Sequence, residues 1–129
     1  VFPNYPGEYA EARNPYVKTT DWDWHIDPVC LRYSLRYLWD HYHLPMVITE
    51  CGYGAHEDLG PDGKIHDLGR IDYLRDHVYN VGLAIADGVE VFGFNPWSFT
   101  DLLSTGNGMA KRYCKFRDNG SRNSLTPEQ

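Results

Sequence analysis

The sequence is poor in positive charge. Twelve lysines and arginines stand against 18 aspartates and glutamates, a formal net charge of −6, which argues against a nucleic-acid or anionic-membrane surface as a partner. Cysteine is also scarce: Cys30, Cys51 and Cys114 are odd in number, widely spaced and outside any Cys-x-x-Cys arrangement. Reduced thiols in a cytoplasmic protein fit that usage better than a disulfide framework. Long apolar runs are missing. Residues 1–9 carry Pro, Gly, Asn and Glu where a secretory signal needs an apolar stretch, and no run approaches a membrane span. The chain also starts without Met, in a polar, Pro-rich stretch, which reads as the middle of a larger protein.

Several catalytic devices are absent as well. There is no Gly-x-Ser-x-Gly elbow and no phosphate-binding P-loop. Six histidines are present, but His41 and His43 lie two apart and share no helix face, while His56 and His66 stand in a loop among Glu57, Asp58 and Asp67. No metal or other cofactor is expected. Cys51 suggests a thiol nucleophile only if a base stands beside it, and nothing in the sequence places one there.

What is present is a globular composition, with 42% hydrophobic and 23% charged residues over 129 positions and a high aromatic share of 15%. That is one small unit, with rings enough to line a site. Residues 1–24, rich in Pro, Gly, Asn and Tyr, show neither helical nor strand periodicity and read as a long loop. Asp27-Pro28 is a good helix start, since Asp caps exposed amides and Pro is pre-set for the first turn. With Leu31, Leu35, Leu38 and Tyr42 at helical spacing, a helix is expected over 28–43.

Met46-Val47-Ile48-Thr49 follows as an apolar run without alternation, as in a parallel strand covered on both faces, and Glu50 ends it. The glycine-rich stretch 51–66 is a loop. Asp67 is placed to cap a second helix whose apolar stripe is Ile71, Leu74, Val78, Val81 and Ile85, with Gly88 as its stop. A second strand over 89–94 completes a β-α-β unit running into Asn95-Pro96-Trp97. Both strands thus deliver their ends to one edge of a sheet, where parallel α/β proteins and barrels build active sites. Glu50 and Trp97 are expected to face one pocket.

Each candidate has an ordinary structural alternative. A Glu at a strand end also caps helices or pairs with surface arginines, and a lone Trp is more often packing. A carboxylate beside an aromatic platform at a barrel mouth is nevertheless what sugar chemistry needs, an anion to attack or stabilise an oxocarbenium-like centre. The segment from Ser104 to Tyr113 combines hydroxyls, two glycines and cations, a loop able to present donors to an anion. A solvated loop with stray charges is the alternative there.

The residues resemble a known family, the glycoside hydrolases of family 1 that include the β-glucosidases and 6-phospho-β-glucosidases. Val47-Ile48-Thr49-Glu50-Cys51-Gly52 is similar to that family's Ile-Thr-Glu-Asn-Gly motif, whose Glu is the nucleophile at the end of the seventh barrel strand. Thr20-Asp21-Trp22-Asp23-Trp24-His25-Ile26-Asp27-Pro28 resembles the segment before the sixth helix. Gly63-Lys64-Ile65-His66-Asp67 and Arg70-Ile71-Asp72-Tyr73-Leu74-Arg75 resemble the approach to the seventh. The likeness runs from about Asn14 to Tyr113. It implies an α/β fold, the C-terminal part of a (β/α)8 TIM barrel with about strands 7 and 8 and helices 6 and 7, incomplete in this chain. Residues 1–129 then form a single partial domain with 114–129 as a divergent or truncated tail, where Cys114-Lys115-Phe116-Arg117 departs from the family pattern.

The branch of the family is implied by the segment after the second strand. Enzymes of unphosphorylated glucosides carry Asn-Phe-Glu-Trp there, whereas Asn95-Pro96-Trp97-Ser98 is like the Thr-Pro-Trp of the phospho-enzymes. Those enzymes hold the 6-phosphate with a Ser, a Lys and a Tyr, which Ser104, Lys111 and Tyr113 reproduce. The resemblance implies Glu50 as nucleophile, Trp97 as a sugar platform and Ser104, Lys111 and Tyr113 as substrate-binding residues. The substrate would be a phosphorylated β-glucoside or disaccharide, hydrolysed with retention.

The family's acid/base stands in an Asn-Glu-Pro motif, and no Asn-Glu pair occurs in this sequence. The isolated chain is therefore expected to be inactive. A catalytically dead remnant that binds sugar phosphate or a partner, and a β-glucosidase for unphosphorylated substrates, remain the alternatives. Oligomeric state is not legible.

Overall fold

The computed structural model describes residues 14–56, 60–98 and 111. Its elements, in order, are β1 (Lys18–Thr19), β2 (His25–Ile26), α1 (Pro28–Tyr42), β3 (Met46–Cys51), α2 (Leu68–Ala86) and β4 (Val91–Pro96). β1 and β2 form an antiparallel hairpin, and β3 and β4 pair in parallel.

The hairpin corrects the expectation of a long loop up to Trp24; residues 1–13 of that stretch lie outside the described residues. Its turn is organised by Thr20, whose hydroxyl accepts from the amides of Trp22 and Trp24 at 3.3 and 3.2 Å. The Thr20 amide in turn donates to the Trp24 carbonyl at 2.8 Å, and Asp23 takes a left-handed φ of 60°. Side-chain to backbone bonds of this kind replace regular periodicity, so pattern counting does not register them.

α1 starts as expected: the Asp27 carboxylate accepts from the Cys30 amide at 3.0 Å, with Pro28 in the first turn. It ends one residue early because His43 turns left-handed, at φ 50°, while its amide still reaches the Trp39 carbonyl. α2 ends at Ala86, and Gly88, at φ 95°, supplies the stop a side chain would resist. Val89 belongs to that ending rather than to the strand, since its amide donates to the Ala84 carbonyl at 3.1 Å. β4 accordingly begins at Val91, two residues later than the sequence suggested.

The core gathers Leu35 of α1, Ile48 and Cys51 of β3, Val81 and Ala84 of α2, and Val89. Fully burying one such aliphatic side chain is worth about 1.5–3 kcal/mol. The buried line on α2 is offset from the expected one. Of the five stripe residues Val81 is buried, but Ile71, Val78 and Ile85 are 58%, 51% and 48% exposed, while Arg70, His77 and Ala84, each one position earlier, are buried. The polar members of that line carry their own hydrogen bonds. His77 Nδ1 lies 2.6 Å from the Tyr73 carbonyl, and Asn80 Nδ2 donates to the Asp76 carbonyl at 2.9 Å. Satisfied polar groups can be buried without the penalty that an apolar count assumes. Asp87, just past α2, ties the helix to α1 through Arg32 at 2.7 Å and Arg36 at 3.6 Å.

Candidate active site at the strand ends

Parallel pairing brings the C-terminal ends of β3 and β4 side by side, with Cys51 opposite Pro96. The Trp97 amide then donates to the Cys51 carbonyl at 2.8 Å. Glu50, the residue before Cys51, lies on the exposed side of the strand end, whereas Cys51 turns into the core. Trp97 is half-buried, Ser98 after it is 5% exposed, and the peptide between them is cis. The structure thus brings Glu50 and Trp97 to one edge, as the strand pattern predicts.

Gly52 explains how close the two strand ends come. A Cβ built there would lie 1.8 Å from the Trp97 carbonyl oxygen and 2.8 Å from its carbon. Only glycine fits that contact. Gly52 closes the motif around Glu50, but its contact with Trp97 is not legible in the sequence, where it stands among five glycine and proline residues of an apparent loop.

The other flank of this loop is held from α2. Arg70, 2% exposed, donates through Nε to the Tyr53 carbonyl at 3.2 Å and through Nη1 to the Asp67 carboxylate at 2.6 Å. Asp67 is the N-cap residue of α2, yet its side chain makes no cap bond to the helix. The expected cap is therefore replaced by an ion pair one turn into the helix. The signal was present as an Asp and Arg three apart, but such pairs are ordinary on helix surfaces and burial was invisible.

Behind the strand end, Tyr73 packs against the rings of Tyr53 and His77, at centroid distances of 4.9 and 3.8 Å, and its hydroxyl lies 4.0 Å from Cys51 Sγ. Burial, with smaller contributions from Cys51 and Tyr53, pushes Tyr73 well above the ordinary tyrosine range. Tyr53 is raised too, by burial and by the negative charge of Asp67, with Arg70 opposing. Cys30 is a free, exposed thiol; Cys114 lies outside the described residues.

Of the anion-binding set, Lys111 is described and Ser104 and Tyr113 lie outside the described residues. Lys111 is 1% exposed, and its ammonium sits over the Trp24 ring at 3.2 Å and the Trp22 ring at 5.2 Å. Such cation–π contacts hold a desolvated ammonium in place. Trp22 also meets the His56 ring at 4.8 Å, and the His56 amide donates to Asp21 at 3.2 Å. The hairpin before α1 is thereby joined to the loop after β3.

An acidic and an aromatic residue at the neighbouring C-terminal ends of two parallel strands occupy the edge at which (β/α)8 barrels build their sites. The chain belongs to the family described as glycosyl hydrolase family 1, whose profile matches residues 3–126. It is 48% identical over 108 residues to the aryl-phospho-β-D-glucosidase BglC of Bacillus subtilis, covering 84% of this chain and 22% of that protein. To the 6-phospho-β-glucosidase AscB of Escherichia coli it is 43% identical over 102 residues, 78% of this chain and 22% of the relative. Among solved structures it is similar to the family 1 β-glucosidase of Thermotoga maritima, with a TM-score of 0.74 and 30% identity over 78% of this chain and 23% of that one. The chain thus spans less than a quarter of the length of these relatives, and its described elements make up part of a TIM barrel. Among the described residues no helix is long and apolar enough to cross a membrane.

Proposed function

We propose that this segment is the nucleophile-bearing part of a complete barrel that hydrolyses 6-phospho-β-glucosides with retention, in the cytoplasm. The observation that carries the reading is the junction of the two strand ends, where Glu50 stands one residue from the Cys51 carbonyl that receives the Trp97 amide. A carboxylate so placed attacks the anomeric carbon of a sugar stacked on the indole, and the leaving oxygen takes a proton from a second carboxylic acid. That acid then acts as base for the water that releases the sugar, and the two carboxyls stand about 5 Å apart in such enzymes. The second carboxylate comes from outside these 129 residues, which contain no Asn-Glu pair.

The phosphorylated substrate is supported from two sides. The segment Asn95-Pro96-Trp97-Ser98 carries no carboxylate to repel a phosphate, and Lys111 offers a cation whose charge-assisted bond suits a dianion. The curated relatives named above are phospho-β-glucosidases by name. In the complete polypeptide, a chromogenic 6-phospho-β-glucoside is expected to be cleaved and its unphosphorylated analogue to be a poor substrate. Glu50→Gln is expected to lower turnover by more than about 10³-fold. Equal cleavage of both substrates, or turnover retained by Glu50→Gln, would overturn the reading. The 129-residue chain alone is expected to show no turnover.

A further inference from the structure

Arg70 is a buried guanidinium that the hydrolytic steps do not use. It sits in the first turn of α2, bonded to the carbonyl of Tyr53, three residues beyond Glu50, and to the carboxylate of Asp67. On its other side the same short stretch of chain is bonded to Trp97 through the Cys51 carbonyl, with Gly52 closed against the Trp97 carbonyl. The stretch from Glu50 to Tyr53 is thus clamped between two elements, a neighbouring strand end and a buried cation. Asp67 forgoes helix capping to aim that cation, whose planar fork suits a carbonyl and a carboxylate at once.

We propose that Arg70, oriented by Asp67, is a positioning residue for the nucleophile: it fixes the backbone that follows Glu50, and with it the reach of the Glu50 carboxylate toward the anomeric carbon. The proposal rests on Glu50 being the nucleophile. It predicts a loss in the bond-forming step rather than in substrate binding, because Arg70 touches the loop and not the sugar.

The test uses the complete polypeptide, its active sites counted by covalent trapping with a 2-deoxy-2-fluoro-6-phospho-β-glucosyl fluoride and mass spectrometry of the Glu50 peptide. Misplacement by about 1 Å costs about 100-fold in rate, so Arg70→Met is expected to lower kcat per trapped site at least about 10-fold while KM stays within about threefold. Arg70→Lys, which keeps the charge but not the fork, is expected to recover part of that loss. A role limited to stability would reduce the number of trappable sites and leave kcat per site unchanged. That outcome overturns the proposal. Where Arg70→Met gives no soluble protein, Asp67→Asn carries the same test, since it keeps the buried guanidinium and the shape of the side chain at position 67 and removes the charge that aims that guanidinium. A folded parent protein that is trapped at no carboxylate overturns the hydrolase reading and this proposal together, whereas trapping at Glu50 with unaltered variant rates overturns only the latter.

Discussion

Substituting Gly52 by Ala probes the junction of the strands through a single methyl group. The added Cβ would lie 1.8 Å from the Trp97 oxygen, and real Cβ atoms stay at least 3.0 Å from their neighbours, so the strand ends must part by about 1.2 Å. The obstacle is backbone, which cannot swing aside as a side chain can. Overpacking of this sort costs about 1–3 kcal/mol, and stretching the 2.8 Å bond from the Trp97 amide to Cys51 forfeits about 1 kcal/mol more. A destabilisation of about 2–4 kcal/mol is expected, with kcat down by about 100-fold because Glu50 and Trp97 move apart. Urea unfolding and steady-state kinetics of the complete polypeptide measure both. The control is Gly82→Ala in α2, where a Cβ meets nothing within 4 Å and the helix should gain about 0.5–1 kcal/mol. Should Gly52→Ala unfold at the parent's midpoint and keep its turnover, the close approach does not organise the site.

Other outcomes follow from the remaining contacts. Lys111→Ala should lower kcat/KM for a 6-phospho-β-glucoside by about 10- to 100-fold, the worth of one charge-assisted bond, and leave residual cleavage of the unphosphorylated analogue unchanged; parallel kinetics on the two substrates decide. Asp27→Ala removes the bond to the Cys30 amide and should cost the first turn of α1 about 1 kcal/mol, visible as faster amide exchange confined to that turn. For Tyr73, whose folded value is raised above 10.0 by burial, the neutral form is the one the fold retains. Its contribution is intact below pH 10 and falls as pH climbs from the unfolded value toward the folded one, so the alkaline loss of stability should be shallower in Tyr73→Phe. Identical alkaline limbs would contradict that assignment.

The strands and their shared end were legible because parallel strands advertise themselves as short apolar runs, and Asp27-Pro28 is a local signal that needs no tertiary context. α2 was legible as a helix but not in its orientation. Its apolar residues Ile71, Val78 and Ile85 are exposed in this unit, and the buried line carries Arg70, His77 and Asn80; Arg70 is satisfied by the distant Tyr53 carbonyl, while His77 and Asn80 bond carbonyls one turn back in their own helix, which an apolar count does not register. Val89 was misassigned for a similar reason, a β-branched residue held in a helix ending by one backbone bond. The motif around Glu50 was visible, whereas the devices that set it in place, Gly52 against Trp97 and Arg70 on Tyr53, are contacts between distant positions.

The two-stranded ladder of β3 and β4 carries one more consequence. Among the described residues neither strand pairs with a third, so within this part of the fold each has an outer side without a ladder partner, and Phe92 of β4 stands 72% exposed. Open edges of this kind recruit any extended segment that meets them, and a cylinder is the arrangement that leaves none. For this unit, ring closure is therefore a safeguard against self-association as well as the step that surrounds Glu50 with the rest of its barrel.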